Sequence, residues 1–250
     1  MYTLKKSLGQ HFLKDENISR KIVAALHEHP FTQLLEVGPG GGALTKYLIT
    51  DDSYSFKAVE LDSEKVAWLQ EKYPSLRGKI IEASFLDIEQ PFSGPFTVIG
   101  NFPYNISTQI LFRILDWKAD VQCVIGMFQK EVAERAAAKE GSKVYGVLSV
   151  LMQAFFTVEY LFDVDAQAFN PPPKVQSGVI RLLPNPAPPV MRSEKDMFLV
   201  VKTAFNQRRK TLRNAVKGIF DSEVLKDPLF DKRAEQLTVE QFAELTFRLK

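Results

Sequence analysis

The chain has 250 residues, 45% of them hydrophobic and 25% charged, with 32 basic against 30 acidic side chains and a formal net charge of +2. That length and apolar share are enough for a buried core and exclude wholesale disorder, while a single cysteine, Cys123, excludes an internal disulfide and a cysteine-rich zinc site. No apolar run approaches the ~18 residues of a membrane span and the first residues carry no signal-type apolar stretch, so a cytoplasmic protein with no metal is expected.

In chain order, Leu34-Leu35-Glu36-Val37 reads as a strand that stops at Gly38-Pro39-Gly40-Gly41-Gly42, and a helical pattern follows over 43–49. Residues 56–60 predict a second strand and 63–73 a helix capped by Ser63. Strands are predicted at 79–82 and 96–100, a helix at 106–115, a strand at 121–128 and a helix at 130–139. A helix over 145–156 and strands at 157–164 and 178–183 complete the series. Such alternation points to an α/β, doubly wound parallel sheet covered on both faces. Four prolines in the six residues from Pro184 then mark a stiff boundary, beyond which strand character is lost and several short helices are expected. Two domains follow: an α/β body over 1–184 and a small all-helical module over 191–250.

The glycine turn after the first of these strands lets the backbone bend tightly and approach a ligand closely. Glu60 lies 22 positions beyond Gly38, at the end of the next strand, where a carboxylate can accept hydrogen bonds from ribose hydroxyls. A nicotinamide-dinucleotide site fits the same glycines, and so does a plain tight turn. Asn101-Phe102-Pro103-Tyr104 narrows the choice. It follows a strand, at the sheet edge where open α/β folds bind ligands. An amide oxygen, turn carbonyls and an aromatic face suit a planar base with an exocyclic amine. Two acceptors can hold the amine hydrogens and free its lone pair, and Tyr104 can stack on the ring. Hydride chemistry has no use for that set.

With the opening Lys6-Ser7-Leu8-Gly9-Gln10-His11-Phe12-Leu13 and the Glu36-Val37-Gly38-Pro39-Gly40 turn, this motif resembles the ribosomal RNA adenine dimethyltransferases. The nearest likeness is to the bacterial branch that dimethylates two adjacent adenosines near the 3′ end of small-subunit rRNA. The resemblance continues through Phe128-Gln129-Lys130-Glu131-Val132, Gly141-Ser142-Lys143-Val144-Tyr145-Gly146, Phe169-Asn170-Pro171-Pro172-Pro173-Lys174-Val175 and the stretch from Ala204 to Asn214. It implies a Rossmann-like class I methyltransferase sheet with S-adenosyl-L-methionine as cofactor. By the same resemblance His11 and Leu13 close over the cofactor, Gly38 and Gly40 line its amino-acid end, and Glu60 holds its ribose. Asn101 and the Pro103 carbonyl face the target amine, with Asn101 also at the cofactor, while Tyr104 and Phe169 sandwich the flipped adenine. His11 is not needed as a base, because the alkylated amine is acidic enough to lose its proton to water. One departure stands out. The family's cofactor-adenine contact after the third strand is an Asp, and Ser84 aligns there, with Asp87 three residues on. A neutral hydroxyl in that place predicts cofactor binding weaker by about 1–2 kcal/mol.

The net charge hides an asymmetry: residues 197–217 hold six basic side chains and no acidic one. Within them Arg208, Arg209, Lys210 and Arg213, on an expected helix, are read as the phosphate contacts that set RNA register. The expected partner is small-subunit rRNA within the immature 30S subunit, engaged by a monomer at a hairpin loop whose adenosine leaves its stack. Three other readings stay open. They are a large-subunit rRNA adenine methyltransferase of the macrolide-resistance type, a DNA adenine methyltransferase, and a mainly non-catalytic assembly factor. The second is disfavoured because nothing resembles a DNA sequence-reading module.

Overall fold

The computed structural model describes residues 11–250, so the first five residues of the opening block, 6–10, lie outside the described residues. The elements are β1 (Phe12–Leu13), α1 (Glu16–Leu26), β2 (Gln33–Val37), α2 (Thr45–Leu48), β3 (Ser55–Glu60), α3 (Ser63–Lys72), β4 (Ile80–Glu82), β5 (Phe96–Asn101) and α4 (Ser107–Asp116). They continue as β6 (Val121–Gln129), α5 (Lys130–Ala137), α6 (Val147–Phe155), β7 (Phe156–Val164), β8 (Phe169–Asn170), β9 (Ser177–Pro184), α7 (Glu194–Phe205), α8 (Leu212–Ala215) and α9 (Val239–Leu245). Helix α3 is capped by Asp62 and not by Ser63. Asp62 is extended, and its carboxylate accepts the Glu64 N–H at 3.2 Å.

Two compact units form. One takes the chain to Ala133 together with Glu159–Pro184, and the other joins Glu134–Val158 to Asn185–Lys250. The boundary at Pro184 is the proline-rich segment, but residues 134–158 group with the C-terminal helices and not with the 1–184 body expected from the sequence. The cause is the apolar α6, whose Leu148, Val150, Leu151 and Met152 are buried and which packs against α7 and α9.

The first unit is built on a seven-stranded sheet of order β4-β3-β2-β5-β6-β9-β7. Strands β4, β3, β2, β5 and β6 are mutually parallel, as expected, whereas β9 runs antiparallel to β6 with Ser177 opposite Gln129. Because β9 leaves from where β6 ends, the pair needs no crossover. Leu34, Leu35, Val98, Ile99, Val124 and Ile125 are all fully buried, which is why these strands read as continuous apolar runs. Helix α1 buries Ile22, Val23 and Leu26, and α4 buries Ile110, Leu111, Ile114 and Leu115, the spacing of a helix with one apolar face. The chain winds from β2 out through β3 to β4, then returns to β2's other side as β5. The carboxyl ends of β2 and β5 therefore flank a topological switch point.

In the second unit, Met197, Val200, Val201 and Ala204 of α7 and Phe242 of α9 are buried. The Phe205 ring lies 5.8 Å from that of Phe242 and 6.1 Å from that of Tyr145. Among the described residues no helix is long and apolar enough to cross a membrane.

Candidate active site

A cavity of about 230 Å³ opens at the switch point. Its walls come from the carboxyl ends of β2, β3 and β5, the turns after them, and β1. The glycine turn forms one wall. The Gly38 N–H donates to the Val59 carbonyl at 2.9 Å and pins the turn to β3. Gly40 sits at φ +54, and a Cβ there would lie 3.2 Å from Cε1 of Phe12, so a side chain would meet both backbone strain and the ring. The helix expected over 43–49 is only the single turn α2.

Glu60, at the end of β3 and 7% exposed, fastens this wall. Its Oε2 accepts the Gly40 N–H at 3.1 Å and its Oε1 accepts the Asp62 N–H at 3.0 Å. Each carboxylate oxygen keeps a lone pair for a ligand hydroxyl. Ser84 lines the cavity, and its Oγ accepts the Leu86 N–H at 3.2 Å while keeping one acceptor site and its own proton. Asp87 is exposed and lines no part of the cavity, whereas Ser84 does.

Asn101 ends β5, and its turn is anchored by the neighbouring ring. Phe102 is buried and stacks on Phe128 with centroids 4.7 Å apart, over Gly126, where any Cβ would strike both rings. The Asn101 Nδ2 donates to the His11 carbonyl at 3.1 Å, which orients the amide and leaves Oδ1 as the acceptor. His11 Nδ1 donates to the Pro171 carbonyl at 2.9 Å, so in the neutral ring Nε2 carries the lone pair. Strand β1 is itself held by β8, with Leu13 opposite Phe169 and the Lys14 N–H on the Ala168 carbonyl at 2.8 Å. Tyr104 lines the cavity 5.6 Å from the His11 ring and is hydrogen-bonded through its hydroxyl to Ser177 Oγ. Burial pushes the Tyr104 phenol above its ordinary range.

Two of the expected base-facing groups are placed otherwise. The Pro103 carbonyl already accepts the Ile106 N–H at 3.3 Å and the Ser107 hydroxyl at 3.1 Å, which fills both lone pairs. Among the described residues, no donor reaches the Phe102 carbonyl, one residue earlier in the turn. Phe169 is fully buried in the core, on β8 opposite Leu13 of β1, and does not line the cavity. His11, Leu13, Gly38, Gly40, Glu60, Ser84, Asn101, Pro103 and Tyr104 do meet at the cavity.

Among the cavity residues that the sequence reading did not assign to the site are Phe12, Lys65 and Glu36. Phe12, beside two expected residues, covers Gly40. Lys65 is 1% exposed, 3.8 Å from Asp62 Oδ2 and 5.0 Å from the centre of the Phe12 ring. On a helix with ordinary amphipathic spacing nothing distinguishes it from a solvated lysine. Glu36 did leave a signal, as a lone acid in a buried strand. Its Oε2 has no hydrogen-bond partner, and desolvation, helped by nearby Glu60 and opposed by Thr45, pushes its carboxyl up to about 8.

In the second unit, Arg208, Arg209 and Lys210 lie in the turn between α7 and α8, not on a helix, and Arg213 lies on α8. Arg208 Nη2 donates to the carbonyls of Lys143 at 2.5 Å and Ser142 at 3.4 Å, and its Nε is 3.9 Å from Glu235. Arg213 donates to the Leu225 carbonyl at 2.8 Å and pairs with Asp231 at 2.9 Å. Arg209 and Lys210 are exposed and have no partner among the described residues.

The model of the family "Ribosomal RNA adenine dimethylase" matches residues 1–250. A Cytophaga hutchinsonii protein named ribosomal RNA small subunit methyltransferase A is 52% identical over 246 residues, covering 97% of this chain and 95% of its own. The Bacteroides thetaiotaomicron protein of the same name is 53% identical over 247 residues, covering 97% and 92%. Among solved structures, a dimethyladenosine transferase from Plasmodium falciparum superposes with a TM-score of 0.78 over 94% of this chain and 96% of its own, at 24% identity. The 23S rRNA methyltransferase ErmE superposes with a TM-score of 0.71 over 95% and 99%, also at 24% identity. Those two likenesses establish the fold as that of these methyltransferases. Matched from end to end and sharing half its residues with its relatives over nearly all of its length, the chain belongs to the ribosomal RNA adenine dimethylase family.

Proposed function

We propose that this protein transfers methyl groups from S-adenosylmethionine to the N6 amines of two adjacent adenosines in the 3′-terminal hairpin loop of small-subunit rRNA. It does so in the cytoplasm, as a monomer, on the immature 30S subunit. The observation that carries the reading is the Asn101 amide at the switch point, with its N–H held by the His11 carbonyl and its oxygen left to accept from an amine. The relatives' names favour the small subunit over the large one.

The cavity suits the cofactor in chemistry. A positive-φ glycine that Phe12 overlies makes a cradle a side chain would fill, Glu60 keeps acceptor capacity for vicinal hydroxyls, and the unpartnered Glu36 Oε2 awaits a donor or a cation. Gly38 and Gly40 line the amino-acid end, Ser84 meets the adenine amine, and His11, Phe12 and Leu13 cover the site. When bound, S-adenosylmethionine supplies a sulfonium methyl that the amine nitrogen takes as the carbon–sulfur pair leaves on sulfur, the surplus proton passing to water. Asn101 Oδ1 holds one amine hydrogen. The second acceptor is the Phe102 carbonyl in place of Pro103's, whose lone pairs are filled. Tyr104 supplies the stacking face, and Phe169 holds β1 in place of a second face. Positioning, not bond polarisation, is the protein's share of the rate, because the methyl donor is already activated.

Expression in cells whose small-subunit rRNA lacks dimethyladenosine tests this reading. The modified nucleoside returns with the wild-type chain and not with Asn101→Ala. Its absence with both refutes the proposal.

A further inference from the structure

The block Gly141-Ser142-Lys143-Val144-Tyr145-Gly146 has no role in the site described above, yet the second unit builds it into a definite place. Gly141, at φ +81, donates its N–H to the Glu235 carbonyl at 2.6 Å. Arg208 reaches the carbonyls of Ser142 and Lys143. The Leu212 N–H donates to the Lys232 carbonyl at 2.7 Å, beside an antiparallel bridge between Thr211 and Arg233. Three segments far apart in sequence are thus tied together around one arginine.

What they present outward is cationic. Lys139, Lys143, Arg209, Lys210 and Lys232 are all exposed, and none has a partner among the described residues. Of the carboxylates nearest in sequence, Glu235 faces Arg208 and Asp231 pairs with Arg213, while Glu134 on α5 and Glu140 in the loop are exposed. Free lysines on a pinned backbone are a poor way to stabilise a fold and a good way to meet a row of phosphates.

We propose that Lys139, Lys143, Arg209, Lys210 and Lys232 form one surface that receives the RNA backbone, with Arg208 as the strut that holds the 139–143 loop in place and not itself a phosphate contact. Guanidinium geometry fits the strut, since Nη2 turns its two hydrogens to the two carbonyls while Nε of the same plane faces Glu235, a set of directions that a lysine ammonium does not hold fixed. The surface rests on the RNA-substrate reading and adds to it segments outside the 208–213 cluster.

The test is binding to small ribosomal subunits purified from cells lacking the modification, titrated from 50 to 200 mM salt. For the Lys139→Ala/Lys143→Ala double variant, the slope of log affinity against log salt falls in magnitude by about 1.4–1.8, with the thermal transition unmoved, since each phosphate contact contributes about 0.7–0.9. A wild-type slope in that variant overturns the surface. Arg208→Lys keeps the charge but speeds hydrogen exchange of the Gly141 amide and weakens binding. Wild-type exchange and affinity in Arg208→Lys overturn the strut. A wild-type chain whose affinity ignores salt fails earlier and sinks the RNA reading along with the surface.

Discussion

Glu36 ties the chemistry of the cavity to a quantity that denaturation can read. Replacing it with Gln keeps the shape and removes the charge. In the wild type the folded carboxyl titrates at about 8 against an ordinary 4.5, and desolvation is the main cause. A folded pKa raised above the unfolded one favours the native state fully below 4.5, and the benefit is lost as pH rises through 8. At about 1.4 kcal/mol per unit, the wild type loses about 5 kcal/mol relative to Glu36→Gln across that window. Denaturant titrations from pH 4.5 to 8.5, followed through Trp68 and Trp117 of the first unit, measure the difference between the two proteins, in which titrations not coupled to Glu36 cancel. Curves that run parallel within about 1 kcal/mol would refute a neutral, unpartnered carboxyl in this wall. The same reasoning predicts proton release when a cationic ligand binds near pH 7, because the ligand favours the ionised form. Calorimetry in buffers of different ionisation enthalpy shows that release in the wild type and none in Glu36→Gln.

The remaining site residues give sharper functional readouts. Asn101→Ala leaves cofactor affinity nearly intact and lowers turnover by about 10²-fold or more, the scale of one hydrogen bond lost from a transition state, which single-turnover kinetics would measure. Ser84→Asp tightens cofactor binding by about tenfold and Ser84→Ala weakens it, in line with charged against neutral acceptors, as calorimetry would show. Gly40→Ala costs about 1–2 kcal/mol of stability for a left-handed alanine, read by denaturation, and lowers cofactor affinity as Phe12 is pushed aside.

How much of this was legible depended on whether the signal was local. Leu34 to Val37, the glycines after them and Glu60 could be read in order because buried parallel strands are apolar runs and the turn that follows needs positive φ. The reversed direction of β9 leaves no mark in periodicity, and strands β1 and β8 are two residues each, too short for any pattern. Burial is tertiary: Phe169 reads as an aromatic ready to stack and Lys65 as a solvated cation, and neighbours remote in sequence reverse both. Arg208 and Arg213 read as phosphate contacts from their charge alone. The carbonyls that hold Arg208 lie 65 and 66 positions away, and proximity along the chain does not reveal them. The filled Pro103 carbonyl is a matter of one helical turn, visible only once Ser107 is seen to donate to it.

The most direct test of the central claim is transfer of radiolabelled methyl groups from S-adenosylmethionine to purified small subunits lacking the modification, followed by nucleoside analysis of the RNA. The account predicts dimethyladenosine, confined to the 3′-terminal hairpin of small-subunit RNA and formed about 10²-fold or more slowly by Asn101→Ala. Label in large-subunit RNA instead, or tight binding to small subunits with no transfer at all, would contradict it.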